Sequence, residues 1–361
     1  MDKVYLILSN GMVFEGRSFG ASGDVTGELV FSTGMGGYIE TLTDPSYAGQ
    51  IILQTFPLIG NYGMIEEDIE GICAAHGYVV RECCETPSNF RCQYNLSQFL
   101  KEHNICGICG IDTRFITRII REQGIMNARI CPEIPAHMQP LQDYQAKNLI
   151  SEVSTPDIQI YPSETGQTDY HVVLLDYGTK KSWIQALCRR GCQVTVYPFN
   201  ATAGTILNQH PDGILLSNGP GNPSENTACI EQIQQLVGKI PLFGIGLGHQ
   251  MLALAHGAKI TALKYGHHGA NHPVHEVKGN RTFITQQNHR YAVNAESLTS
   301  QGTAEVSFIH ANDHTCAGLL YPDENCFSVQ FYPDIYDGPG NTAFLFDHFI
   351  AMMGGMEHAQ R

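Results

Sequence analysis

The stretch "FGIGLGHQMLALAHGAK", Phe243–Lys259, passes from a strand end through a tight turn into a helix. In that setting the residue at the tip of the turn is normally a nucleophile, held out on a sharp, strained turn that tolerates only small neighbours. Gly244 and Gly248 flank position 246 at that spacing, yet the tip itself is Gly246, which has no side chain. The backbone N–H that follows, on Leu247, would point at an oxyanion. A second donor is at hand in "NGPG", Asn218–Gly221.

Around this turn the second half of the chain alternates strands with helices. "HVVLLDYG" is a near-continuous apolar run, as expected of a strand buried on both faces. A helix ("KKSWIQALCRRG"), strands ("CQVTVYPF", "GILLSNGPG"), a second helix and "PLFGIG" follow. This alternation predicts a doubly wound parallel sheet, in which ligands sit beyond the carboxyl ends of the strands. "SNGPGNP" and "GIGLGHQ" both fall at such ends.

Residues 1–150 read differently. Short β-type runs ("LVFST", "QIILQTF", "GYVVRE") are punctuated by Gly and Pro, and Asn10-Gly11 reads as the turn of an opening hairpin. One helix is expected in "DTRFITRIIREQG", with Phe115, Ile116, Ile119 and Ile120 apolar, Asp112 or Thr113 as cap and Gly124 as stop. The polar, Pro-bearing segment 151–170 reads as a linker to a second domain over 171–361.

Composition narrows the class. A formal net charge of -14 over 361 residues argues against nucleic acid or an anionic membrane surface as partner. No run is apolar and long enough to span a bilayer, and the start lacks the pattern of a secretory signal. Twelve scattered cysteines then read as reduced thiols of a cytoplasmic protein. The single C-x-x-C, Cys106 and Cys109, lacks the second pair a zinc site requires.

The chain resembles the small, glutamine-hydrolysing subunit of carbamoyl-phosphate synthetase, whose C-terminal domain is a flavodoxin-like class I glutamine amidotransferase. The N-terminal half carries the family segments "GYIETLTDPSYAGQI", "PLIGNYG" and "GIDTRFITRIIREQG". The C-terminal half carries "LLSNGPGNP", "GLGHQMLALAHGAK", "YGHHGANHPV", "FSVQF" and "FLFDHFI". The resemblance implies an α/β fold in two parts: a mixed β/α domain that contacts a large synthetase subunit, and the amidotransferase domain. It implies a Cys thiolate at the elbow attacking the amide of glutamine, with a His in a late F-H-P-E segment as base and acid. Ammonia then passes to the large subunit, where ATP, bicarbonate and metal belong; no cofactor is expected in this chain.

Against that pattern all three members of the relay differ. Gly246 stands at the Cys position, Tyr332 at the His position and Asp334 at the Glu position of "QFYPDIYDGPG". An unperturbed phenol, with a pKa of about 10, is a poor base at neutral pH. "QQNHRYAV" places Arg290 where the family has Gly. The remaining pocket positions persist by correspondence: Ser46, Gly219, Gly221, Leu247, Gln250, Asn288 and Tyr291. Tyr332 reads as a packed aromatic or a new catalytic phenol, Arg290 as a pocket plug or a side chain swung away. His267, His268 and His272 lie in a family loop, so no metal is expected there. A substitute nucleophile, Cys229 or Cys316, would need its own oxyanion hole.

Three functions are compatible with these residues. One is a partner subunit without its own glutaminase, supporting a large subunit that uses free ammonia. Another is a regulatory module that still binds glutamine or another amino acid. The third is an active glutaminase subunit. Changes at 246, 290, 332 and 334 together favour natural divergence over a single engineered replacement.

Overall fold

The computed structural model describes residues 2–333 and 342–354, which form two compact units. The first contains residues 2–149 together with Lys264–Gly269. Its centre is a closed barrel in the order Lys3–Leu8, Val13–Gly20, Cys106–Cys109, Gly77–Val79, Gln50–Gln54, Val25–Ser32 and Met126–Cys131, the last pairing back to the first. Side chains alternate along its strands. Leu29, Ile51 and Leu53 join one apolar cluster while Val30 and Ile52 join another, the period of two that a pleated strand imposes.

A helix serves each cluster. Leu96–Glu102 contributes Leu96, Phe99 and Leu100 to one, and Thr113–Gln123 contributes Ile116, Ile119 and Ile120 to the other. Asp112 caps the latter helix by accepting from the Phe115 N–H at 3.0 Å. Phe115, read with the apolar face, instead lies outside the core, edge-on to Phe14 and beneath the Arg118 guanidinium. Lys264–Gly269 is fastened into this unit by the Ile125 N–H, which donates to the Lys264 carbonyl at 2.9 Å, and by Tyr265, whose ring meets Phe31 and Arg121.

The second unit holds a ten-stranded sheet. Five strands are parallel, in the order Cys192–Pro198, Tyr170–Asp176, Gly213–Leu216, Leu242–Ile245 and Cys326–Val329. Both faces are covered. Val173, Leu175, Ile214 and Leu216 pack with helices Thr227–Leu236 and Leu247–Ala255. Val172, Leu174, Leu215 and Phe243 pack with helices Lys181–Cys188 and Phe344–Met353. The sheet continues antiparallel through Cys316–Tyr321, Glu305–His310 and the long strands Lys259–Glu276 and Arg281–Asn294.

The segment 151–170, expected as a linker, is only partly irregular. A short helix, Leu149–Val153, reaches into it, and Gln159–Tyr161 adds an antiparallel edge strand against Cys192–Pro198. Asp176 holds it in place. One carboxylate oxygen accepts from the Thr155 N–H at 2.7 Å, while the other accepts from the Gly178 and Thr179 N–H groups. Burial raises this carboxyl above its ordinary range, and those three N–H donors pull the other way. Among the described residues no helix is long and apolar enough to cross a membrane.

Candidate functional site: an elbow closed by its own carboxamide

Strand Leu242–Ile245 ends at Gly246, and helix Leu247–Ala255 begins one residue later. Gly246 has φ 57° and ψ -108°, a conformation that side-chain-bearing residues adopt only under strain. The turn is anchored by the Gly246 N–H on the Val329 carbonyl and the Gly248 N–H on the Ser217 carbonyl, at 2.9 and 3.0 Å. The flanking glycines are sterically required. A Cβ on Gly244 would lie 2.9 Å from the Gly248 carbonyl oxygen, and one on Gly248 would lie 2.3 Å from that of Leu216. Gly219 is equally confined, with the Tyr177 carbonyl oxygen 2.2 Å from its missing Cβ. Gly221 has φ +89°, the left-handed region that favours glycine.

The space above Gly246 is filled from the neighbouring loop. A Cβ on Gly246 would meet Asn218 Oδ1 at 2.2 Å and Asn218 Cγ at 2.7 Å. Asn218 Oδ1 accepts the Leu247 N–H at 3.0 Å, so the backbone donor that would face an oxyanion is engaged by the protein itself. The other end of the same carboxamide, Asn218 Nδ2, donates to Tyr332 Oη at 2.5 Å. Both side chains are buried. The Ser217 hydroxyl steadies the loop by donating to the Asn218 carbonyl at 2.8 Å and accepting the Tyr177 N–H at 2.9 Å.

Tyr332 is a packed aromatic. Its N–H donates to the Gln286 carbonyl at 2.9 Å, its ring stands edge-on to Trp183 at 5.5 Å, and the buried Lys180 ammonium lies 5.1 Å from its centroid. Asp334, the third altered relay position, lies outside the described residues.

The remaining positions separate into groups. Gln250 is held inside the elbow helix's packing, its Nε2 donating to the Tyr291 carbonyl at 2.7 Å and to Gln330 Oε1 at 2.8 Å. Asn288 is buried on the strand Arg281–Asn294. The Arg290 guanidinium carbon stacks 5.7 Å from the Tyr291 ring centroid. His289 joins the same strand by Nδ1 to the Tyr291 carbonyl and Nε2 to Gln287 Oε1, each at 2.8 Å. Ser46 belongs to the first unit, where Asp44 caps the turn Pro45–Tyr47 by accepting the Ser46 N–H on Oδ1 at 2.9 Å.

No thiol in the described part of the second unit stands at an elbow. Cys229 gives its proton to the Phe199 carbonyl, and Cys316 gives its own to that of Gly318. Burial pushes the first up to about 11 and the second to about 12, away from the thiolate that nucleophilic attack needs. His272 Nδ1 lies 3.2 Å from His310 Nε2, and His310 Nδ1 lies 3.1 Å from Asp313 Oδ1, a proton-sharing chain at the antiparallel end of the sheet.

Several of these residues were not singled out by the sequence. Asn218 was visible only as the first letter of "NGPG", and its backbone rather than its side chain drew attention. His249 sits wholly buried three residues past the tip, Nδ1 on Ser328 Oγ at 2.8 Å, and burial drives its imidazole down to about 3. The spacing of Ser328 and Gln330, both facing the elbow helix, was the available signal for the His249 and Gln250 contacts.

Comparison with known proteins agrees with this architecture. Residues 6–130 match the family model of the carbamoyl-phosphate synthase small chain, CPSase domain, and residues 173–352 that of class-I glutamine amidotransferase. The carbamoyl phosphate synthase small chain of Listeria monocytogenes is 45% identical over 100% of this chain and 99% of its own length. That of Oceanobacillus iheyensis is 45% identical over 98% and 96%. The pyrimidine-specific small chain of Halalkalibacterium halodurans is 45% identical over 99% and 98%. With both family models in order and relatives matched end to end, the chain belongs to the carbamoyl-phosphate synthase small-chain family, and its elbow is that of a class-I glutamine amidotransferase domain.

Proposed function

We propose that this protein is a carbamoyl-phosphate synthase small subunit that no longer hydrolyses glutamine, and that it serves as the structural partner of a large subunit using free ammonia. The observation that carries this reading is the elbow tip. Covalent amide hydrolysis needs a thiolate there, and position 246 offers only a hydrogen. The Leu247 N–H is already bonded to Asn218 Oδ1, and the position of the base is a packed tyrosine that accepts from the other end of the same carboxamide. ATP, bicarbonate and metal are the large subunit's ligands, and this chain requires no cofactor of its own. The partner surface belongs to the barrel unit.

The test is glutamate release from glutamine by the purified chain, alone and with its large subunit, beside an ammonia-driven synthesis control. Background glutamate with ammonia-supported carbamoyl phosphate is the expected result. Glutamate release at an ordinary enzymatic rate would overturn the reading and require another nucleophile.

A further inference from the structure

The loop that closes the elbow does so with a particular chemical group. We propose that the Asn218 side chain is an internal ligand: a primary carboxamide occupying the subsite that a working elbow keeps for the carboxamide of its substrate, held there by Tyr332. The inference deepens the reading that hydrolysis has been lost and rests on it.

The geometry carries the assignment. A substrate carboxamide at an elbow must present its carbonyl oxygen to the N–H after the tip and its carbon to the nucleophile. Asn218 Oδ1 is 3.0 Å from the Leu247 nitrogen, and Asn218 Cγ is 2.7 Å from the position a Cβ on residue 246 would take. The group therefore overlies the tip so closely that a side chain at position 246 would have to displace it. Its amino end faces the Tyr332 hydroxyl, which accepts at 2.5 Å. Both polar ends of the carboxamide are thus engaged in a site from which solvent is excluded.

The consequence concerns ligand class. As long as Asn218 is seated, a free primary carboxamide, including the side chain of glutamine, competes with a tethered copy of itself. The tethered group has a large effective concentration and a pre-set orientation. The wild-type elbow is therefore closed to glutamine. Removing the tethered group leaves the Leu247 N–H and the Tyr332 hydroxyl facing a gap of carboxamide shape.

The experiment is chemical rescue in the full-length protein. Thermal unfolding is followed for wild type, Asn218→Ala and Tyr332→Phe in the presence of acetamide, acetate or L-glutamine, with glutamate release measured in the same samples. Asn218→Ala is expected to have a lower Tm than wild type, which acetamide raises and acetate does not. L-Glutamine is expected to bind that variant at least about tenfold more tightly than it binds wild type. Tyr332→Phe unlatches the amino end while keeping the ring. It is expected to gain a glutamine-dependent rise in Tm that wild type lacks, and it carries the test should Asn218→Ala not fold. An Asn218→Ala protein indifferent to acetamide, a Tyr332→Phe protein indifferent to glutamine, or a wild type equally stabilised by glutamine would each overturn the internal-ligand assignment. Glutamate released by wild type would instead sink the proposed function, so the two failures are separable.

Discussion

Restoring the thiol alone, by Gly246→Cys, tests how far the elbow has been rebuilt around its missing nucleophile. The new Cβ would have to form 2.2 Å from Asn218 Oδ1, so the Asn218 side chain must leave. Its departure breaks the bonds to the Leu247 N–H and the Tyr332 hydroxyl. A buried donor left unpaired costs about 1–3 kcal/mol. Holding a non-glycine residue at φ 57°, ψ -108° costs about another 1–3 kcal/mol. The total is roughly 2–6 kcal/mol, a large part of the about 5–15 kcal/mol by which proteins are ordinarily stable. Gly246→Ala should lose nearly as much, because the collision is with Cβ rather than sulfur. Urea unfolding of the second unit, followed by the fluorescence of its single tryptophan, Trp183, measures the loss directly. No glutamate should appear, since the base position still holds Tyr332. In the double variant Gly246→Cys/Tyr332→His, part of the lost stability should return, because the two sites share one partner. A Gly246→Cys protein as stable as wild type, or one that hydrolyses glutamine, would refute the reasoning.

Other perturbations follow from the same contacts. His249 is buried and neutral with its imidazole near 3, so below the ordinary histidine value of about 6.5 the unfolded chain takes up a proton that the folded chain refuses. Stability should therefore fall as pH drops from about 6.5 toward 3, and His249→Gln should flatten that slope in a Tm-versus-pH series. Gly248→Ala places a methyl 2.3 Å from the Leu216 carbonyl oxygen, a backbone atom that cannot swing aside. It should cost upward of about 4 kcal/mol and give insoluble protein, read from the soluble fraction on expression. Gln250→Leu strips a donor from the Tyr291 carbonyl and from Gln330, for a loss of about 2–4 kcal/mol in a denaturant titration.

The parts of the fold set by local rules could be read without coordinates. Asp112 and Gly124 bound their helix because capping involves neighbours in sequence, and the buried parallel strands declared themselves as unbroken apolar runs. The flanking glycines of the elbow, Gly244 and Gly248, were legible because a sharp strand–turn–helix elbow tolerates only small neighbours at that spacing. What escaped depends on partners distant in sequence. Phe115 shares the helical period of Ile116 and Ile119 but packs on Phe14 at the surface, a choice made by the barrel and not by the helix. The edge strand Gln159–Tyr161 is exposed along its length and so has no hydrophobic alternation to reveal it. Asn218 and Tyr332 are 114 residues apart, and only folding shows that one side chain answers both the empty tip and the new phenol.

The assignment of Lys264–Gly269 to the barrel unit bears on the order of events during synthesis. That unit is otherwise finished at residue 149, yet the backbone partner of Ile125 and the ring that meets Phe31 and Arg121 come from residues 264 and 265. A ribosome adding about 5–20 residues per second reaches them roughly 120 residues later, on the order of ten seconds after the barrel strands have emerged. Throughout that interval the closed barrel waits without the partners that Lys264 and Tyr265 bring to Ile125, Phe31 and Arg121. A fragment cut at residue 150 would be held in the same unfinished state permanently.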